Sequence, residues 1–348
     1  MRTTVGWQAG AGDVLRRVPL QRRELRADDI AVRVDYCGVC HTDLHALHGR
    51  TDRPLVPGHE FTGVVTEAGP GVTRFAEGDA VAVGNIVDSC GVCRMCLLGQ
   101  ENFCYEFPTL TYDGTDRHDG STTLGGYSRE YVVREGFAYP LPAGLDPAGA
   151  APLLCAGVSV WEPLRALGVG PGTRVAVAGL GGLGHLAVKF AVALGAETTV
   201  ISRTQDKAED ARRLGAHKLL VSTDEAQLTA ARDRFDVLID TIAVEHDLGP
   251  YLLLVAMDGT LSQVGYLGPV TVETMSLLAG RKKLSSAGSG GRPGTAAMLE
   301  FCAEHGITAD IELVPSAKVN EALERLARND VRYRFVLDLS DLAEAASR

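Results

Sequence analysis

Thr173-Arg-Val-Ala-Val-Ala178-Gly179-Leu-Gly181-Gly182-Leu183-Gly184 is the stretch on which the fold turns. A β-branched apolar run of strand length passes directly into a G-x-G-x-x-G turn, and residues 185–194 continue it with the composition of a packed helix. Alone, such a glycine pattern is a weak signal. Here a strand precedes it, a helix follows it and a second strand is expected over residues 198–202, an order that points the free amides of a helix N-terminus at a pyrophosphate. Gly179, Gly181, Gly182, Leu183 and Gly184 are therefore the expected pyrophosphate contacts. Apolar runs at 218–221, 235–240, 259–264 and 283–287 bring the strand count to six, which predicts an α/β unit on a doubly wound parallel sheet, a Rossmann domain.

The end of the second strand decides which dinucleotide fits. It reads Val200-Ile201-Ser202-Arg203-Thr204, with Lys207 close behind and no acid before Asp206. An NAD site places Asp or Glu here to bond the adenosine ribose, whereas an NADP site leaves room and supplies positive charge for the 2′-phosphate. Ser202, Arg203 and Lys207 thus point to NADP(H). The plainer alternative is that Arg203 and Lys207 are ordinary solvated loop residues.

Upstream, two short segments carry metal chemistry: Cys37-Gly-Val-Cys40-His41-Thr42-Asp43-Leu44-His45 and Pro57-Gly58-His59-Glu60. Thiolate and imidazole are preferred zinc ligands, and a catalytic zinc takes three protein ligands with one position left open. Cys40 and His59 supply the first two. Cys155, in Ala151-Pro-Leu-Leu-Cys155-Ala-Gly157, is the candidate third, although spacing alone does not join it to the others. Asp43 is the expected acceptor for the ring N–H of His59, a partner that sets tautomer and ring orientation, and it can also cap a helix beginning there.

Further on stands Cys90-Gly-Val-Cys93-Arg-Met-Cys96, with Cys104 eight positions later. Thiols at this spacing can close around one tetrahedral zinc; an iron–sulfur cluster also takes four thiolates, but at other usual spacings. A closed four-cysteine site has no open position, so its expected role is to hold a loop. Cys37 and Cys302 lack partners at metal spacing and are expected as buried small residues.

With these motifs the chain resembles the zinc-dependent medium-chain dehydrogenase/reductases, and among them the cinnamyl-alcohol-dehydrogenase-like, NADP-dependent aldehyde reductases. The likeness rests on residues spread almost end to end: Cys40 to His45, Gly58 to Glu60, the Cys90 to Cys104 cluster, Leu124-Gly-Gly-Tyr127, Leu154-Cys-Ala-Gly157, Gly179 to Gly184, Phe301-Cys-Ala-Glu-His-Gly306 and Asp330-Val-Arg-Tyr-Arg-Phe335. The resemblance implies that Cys155 is the third ligand, with two Zn2+ per chain. It implies a GroES-like β-barrel catalytic domain over residues 1–152, the Rossmann domain inserted over 153–290, a return segment over 291–348 and an active cleft between the two domains. It also implies a homodimer, a Glu60 that lies beside the metal and can enter its coordination sphere, and a His41 that meets the cofactor pyrophosphate. Relatives of the cinnamyl type fill the pocket with a Trp before the pair that here is Thr111-Tyr112 and a Phe-Ile pair after Gly288-Ser289. This chain has Leu110 and Gly290-Gly291 there, so a wider, less aromatic pocket is expected, with Trp161 either refilling part of the space or packed in a core.

An alcohol carbon gives up hydride readily only when its oxygen carries near-alkoxide charge, so the oxygen must meet a Lewis acid and lose its proton. Thr42, two residues after Cys40, is placed to hydrogen-bond that oxygen, and His45 can carry the proton to water. In the resembling family the relay runs from hydroxyl to nicotinamide ribose to histidine; the bland reading of His45 is a surface histidine on a helix. The expected activity is reversible hydride transfer between NADP(H) and a primary alcohol or aldehyde, bulky or aromatic ones included. One alternative is an NAD-dependent polyol or formaldehyde-type zinc dehydrogenase, which needs the ribose-binding acid absent from the strand end. The other is a non-catalytic zinc-stabilised nucleotide-binding protein, which has no use for Thr42 and His45.

Composition agrees with this class. The 348 residues, 45% hydrophobic with 40 glycines, can bury a large core in two domains. A net charge of −10 without Lys/Arg runs argues against nucleic acid or an anionic membrane as partner. The longest apolar region, residues 175–196, is broken by glycines, His185 and Lys189, and reads as buried strand, turn and helix. The N-terminal residues lack a signal peptide's apolar core, so a cytoplasmic protein is expected, in which clustered cysteines bind metal.

Overall fold

The computed structural model describes residues 1–10, 13–49 and 53–345, and its contacts divide the chain into a unit of Met1–Cys155 with Gly290–Arg348 and a unit of Ala156–Ser289. The first unit is organised by the strand Asp29–Val39. Ile30, Val32 and Val34 alternate on its inner face and are fully buried, the β-branched period-two pattern that suits a sheet with one face in the core. Register shifts at Ala31/Val32 and Val34/Tyr36 bend the strand against Phe61–Ala68. Glu130–Arg134 pairs with its first half and Arg334–Asp338 with its second. Ala80–Val83 and Ala138–Pro140 extend the sheet beyond Phe61–Ala68, and Ile311–Pro315 runs parallel to Arg334–Asp338 at the other end. The C-terminal strands therefore complete an N-terminal sheet, over a core that includes Phe61, Val65, Tyr127, Tyr131, Phe335 and Leu337.

In the second unit the sheet order is Lys218–Val221, Glu197–Ser202, Arg174–Ala178, Phe235–Asp240, Val255–Gln263, Lys283–Ser286, with every pair parallel. Counted along the chain this is the 3-2-1-4-5-6 doubly wound order, whose ligand crevice lies beyond the strand ends where the order reverses. Val175 and Val177 on one face and Ala176 and Ala178 on the other are all fully buried, as a parallel strand covered on both sides requires. The chain leaves this strand through Gly179 at φ +89°, and helix Gly184–Ala193 begins so close that a Cβ on Gly184 would overlap the Gly179 carbonyl. A Cβ on Gly181 would meet nothing within 4 Å, so the space beside the turn is open.

Trp161 and Gly291, the two positions that bear on the pocket, are both packed against protein. Trp161, on helix Ala156–Ala166, is 4% exposed and lies edge-on to Phe190 at 5.4 Å between centroids, so its ring belongs to the core of the second unit. Gly291 leaves no space for substrate. A Cβ there would overlap the Gly99 carbonyl and stand 3.0 Å from Gln100 Cα, so the missing side chain permits a close backbone contact with the four-cysteine segment. Buried Glu101 closes that contact by accepting from Arg292 N at 2.9 Å and Arg292 Nε at 2.7 Å, which also satisfies a donor at the start of helix Arg292–His305. Among the described residues no helix is long and apolar enough to cross a membrane.

Gly291→Ala should lower the thermal midpoint by at least about 2 °C, the low end for overpacking a tight site. Gly288→Ala, where a Cβ meets nothing within 4 Å, should leave it unchanged in the same calorimetric scan. Equal midpoints for the two variants would remove the packing role given to Gly291.

Candidate functional site: a two-sulfur, one-imidazole metal centre

Helix His41–His48 starts where the central strand ends, with Cys40 as its N-cap at φ −125°, ψ 155°. Asp43 turns its carboxylate back so that Oδ2 accepts from the Cys40 amide at 2.9 Å, which satisfies a helix-terminal donor. Its other oxygen, Oδ1, accepts from Gly58 N at 3.1 Å and meets His59 Nδ1 at 3.2 Å. One fully buried carboxylate thus ties both metal-binding segments together. A carboxylate facing Nδ1 makes that nitrogen the protonated one and leaves the lone pair on Nε2. His59 Nε2 is buried and has no hydrogen-bond partner among the described residues.

Cys155, at the end of the short 3₁₀ helix Ala151–Leu154, brings its Sγ to 4.0 Å from Cys40 Sγ, and the donor atoms of Cys40, His59 and Cys155 all lie within 4.8 Å of one another. Tetrahedral zinc with bonds of about 2.3 Å to sulfur would hold two sulfurs about 3.8 Å apart. The orphaned imidazole nitrogen beside two sulfurs at nearly that spacing fits zinc. A hydrogen bond with Cys155, together with the charges of Arg334 and His59, draws the Cys40 thiol well below its ordinary range against the effect of burial, favouring the thiolate a metal needs.

Glu60 lies outside this triad of donors. Its carboxylate is fully buried, pairs with Arg334 through Oε1 and has Oε2 without a partner among the described residues. Burial pushes the Glu60 carboxyl up to about 8 even with Arg334 beside it. Room for this side chain comes from Gly38, where a Cβ would stand 2.5 Å from Glu60 Oε1. On the helix, Asp43, Leu44 and Leu47 turn inward, while Thr42 and His45, three residues apart on the outer face, are exposed and His41 is half-buried. Thr42 Oγ1 lies 3.6 Å from Cys40 Sγ. Burial pushes the His41 imidazole below its usual range.

Cys90, Cys93, Cys96 and Cys104 form a second group whose sulfurs lie within 4.8 Å of one another, with Cys93 and Cys96 at 3.5 Å and Cys90 and Cys96 at 3.9 Å. Backbone amides face the sulfurs: Cys93 N is 3.4 Å from Cys90 Sγ and Cys90 N is 3.5 Å from Cys104 Sγ. Such donors suit thiolates, and four of them suit a closed zinc site. Cys37 and Cys302 are fully buried and belong to neither group of donors.

In the second unit Gly179, Gly181, Gly182 and Leu183 form the turn into the helix that begins at Gly184, and all but Gly184 are at least partly exposed. Ser202 ends the second strand, Arg203 follows it exposed, and Lys207 is half-buried in the 3₁₀ turn Gln205–Lys207. The Thr223 hydroxyl donates to the Arg203 carbonyl at 3.0 Å, which ties this strand end to the next connection.

Sequence reasoning missed three residues near the first centre. Arg334 pairs with Glu60, Tyr127 donates to Asp43 Oδ2 at 3.1 Å, and Tyr112 sets its ring edge-on to His59 at 5.7 Å with its hydroxyl buried and, among the described residues, unpartnered. A charged residue opening the apolar strand Arg334–Asp338 was the available signal for Arg334; the tyrosines gave none.

Residues 26–143 match the family described as alcohol dehydrogenase GroES-like domain, and residues 182–304 match that described as zinc-binding dehydrogenase. The chain is 45% identical to a probable formaldehyde dehydrogenase of Bacillus subtilis over 327 residues, 93% of each chain. A cinnamyl alcohol dehydrogenase structure from Sorghum bicolor aligns with TM-score 0.93 and 44% identity over 99% of this chain and 98% of that one. The cinnamyl alcohol dehydrogenase of Helicobacter pylori, whose structure is complexed with NADP(H), aligns with TM-score 0.89 and 33% identity over 97% and 98%.

The purified protein should contain about two zinc ions per chain, and Cys155→Ala should contain about one while keeping the four-cysteine ion. Elemental analysis by mass spectrometry checks both values. A single zinc in the unmodified protein would contradict the assignment.

Proposed function

The chain belongs to the zinc-dependent medium-chain dehydrogenase/reductase family, and we propose that it transfers hydride reversibly between NADP(H) and a primary alcohol or aldehyde, using Cys40, His59 and Cys155 as the catalytic zinc ligands. The observation that carries this reading is the unpartnered His59 Nε2 buried beside two sulfurs 4.0 Å apart, with Thr42 on the outer face next to them. Zinc held there supplies a Lewis acid that polarises the substrate oxygen.

The chain's own residues do the rest. Asp43 keeps His59 in the tautomer that presents Nε2. The Thr42 hydroxyl accepts a hydrogen bond from the alcohol and, as it takes that proton during oxidation, passes its own onward through the nicotinamide ribose to exposed His45, which exchanges it with water; aldehyde reduction runs the relay in reverse. Glu60, held by Arg334, keeps a free oxygen within the buried site. The turn Gly179, Gly181, Gly182, Leu183 and Gly184 offers its amides to the pyrophosphate, with His41 as a further contact, and Ser202, Arg203 and Lys207 receive the 2′-phosphate. Cys90, Cys93, Cys96 and Cys104 hold the structural zinc.

The relatives differ in the substrate their names give, cinnamyl alcohol and formaldehyde, so the substrate class is set at primary alcohols and aldehydes, aromatic and bulky ones included. The likeness to a probable formaldehyde dehydrogenase favours a second reading, with a small aldehyde and NAD; the missing acid at the second strand end speaks against its cofactor. A cytoplasmic homodimer accompanies the proposal. The homodimer is supported by the edge strand Lys283–Ser286, unpaired on its outer side among the described residues, and by Met257, Met275 and Leu278, each 65% exposed in the same unit.

Thr42→Val should reduce kcat for NADPH-dependent aldehyde reduction by about a hundredfold or more while zinc content stays the same. Arg203→Ala should raise the KM for NADPH about tenfold, the effect of one charge-assisted hydrogen bond, and leave that for NADH unchanged. Steady-state kinetics with both cofactors check these outcomes. Equal losses with NADPH and NADH would transfer the cofactor assignment to the second reading.

A further inference from the structure

Tyr127 takes no part in the roles assigned above, yet its side chain is fully buried and its hydroxyl lies 3.1 Å from Asp43 Oδ2. A phenol has one proton to donate. The Gly38 carbonyl, 3.4 Å away, is the longer and uncharged choice, so the proton goes to the carboxylate, where the bond is charge-assisted. Oδ2 then receives Cys40 N and Tyr127 Oη, while Oδ1 faces Gly58 N and His59 Nδ1. A donor fixed on Oδ2 keeps the carboxylate from turning and holds Oδ1 toward the imidazole.

The hydroxyl can act in this way because the loop that carries it is clamped. Gly125 N, Gly126 N and Tyr127 N donate to Val56 O, Gly58 O and Pro57 O at 2.7, 2.8 and 3.0 Å, which lays the loop along the segment leading to His59. Arg22, 7% exposed, grips its other side, donating to Gly125 O at 2.7 Å, Ser128 Oγ at 2.6 Å and Glu130 O at 2.9 Å. Gly58, at φ +97°, has no Cβ, and one built there would stand 2.5 Å from Tyr127 Cδ1. The ring therefore occupies the space beside the metal segment that any other residue at 58 would fill.

We propose that Tyr127 is a positioning residue for the metal centre: through Asp43 it fixes the plane and tautomer of His59, and so slows the loss of zinc from Cys40, His59 and Cys155. This rests on reading that triad as a zinc site, which two zinc ions per chain in the unmodified protein establish before any variant is compared.

Tyr127→Phe removes one oxygen and keeps the ring. Zinc release into excess chelator is followed in holoenzyme, with the phase belonging to the Cys40–His59–Cys155 site identified by its absence in Cys155→Ala. The expected result is about tenfold faster release in that phase, the low end for losing an outer partner of a ligand, with the four-cysteine phase unchanged. In an Asp43→Asn background Tyr127→Phe should add nothing, because the path runs through the carboxylate. Unchanged release, faster release from both sites, a chain that no longer folds, or a full additional effect in the Asp43→Asn background would each overturn the proposal, since each makes Tyr127 either idle or merely part of the packing.

Discussion

A buried carboxylate is costly unless its lone pairs are used, and Asp43 uses them on four donors: Cys40 N, Gly58 N, His59 Nδ1 and Tyr127 Oη. Three of these belong to segments that carry a metal ligand, and the fourth to the loop that lies along one of them. The helix start at Cys40, the turn at Gly58 and the imidazole plane are therefore set by a single group, and the two ligand segments cannot shift independently. Replacing Asp43 by an apolar residue would strip Cys40 N, Gly58 N and His59 Nδ1 of this acceptor in a dry interior and leave Tyr127 only the longer bond to the Gly38 carbonyl, a larger penalty than the loss of any one bond.

The sheet exists in a form that permits this. Asp29–Val39 delivers Cys40 at its end, Phe61–Ala68 begins just after His59, and pairing of these strands, Cys37 with Phe61, brings the two segments alongside. Gly38 and Gly58 supply the close approaches, one for Glu60 and one for Tyr127. Arg334, arriving from the last strand of the same sheet, balances the second buried carboxylate, Glu60. Removing Glu60 would leave the Arg334 guanidinium buried without its partner, which ties the C-terminal strand to the metal centre energetically as well as in topology.

The parts legible in the sequence were those whose signal is local. The run from Thr173 to Gly184 carries strand, turn and helix in twelve adjacent residues, and the parallel 3-2-1-4-5-6 sheet follows from it and from five later apolar runs. Cys90, Cys93, Cys96 and Cys104 declare their chemistry by spacing. Cys155 joined Cys40 and His59 only through family likeness, because nothing near it in the chain reports a sulfur 115 residues away. Tyr127 and Arg334 act on partners 84 and 274 positions distant, and no periodicity encodes that. Gly291 misled for the same reason: the absence of a side chain resembles open space until the Gly99 backbone is found in it. Trp161 likewise has its partner, Phe190, in another helix of its own unit.

The metal centre and the second strand end together call for metal-dependent hydride transfer with the phosphorylated cofactor. The most direct measurement is the initial rate of cinnamaldehyde reduction with NADPH and with NADH, taken before zinc removal, after selective removal of the more labile zinc, and after its return. The predicted result is a rate with NADPH well above that with NADH, lost with the zinc and restored by it. A rate that survives zinc removal, or no reduction of this or a smaller aldehyde with either cofactor, would contradict it.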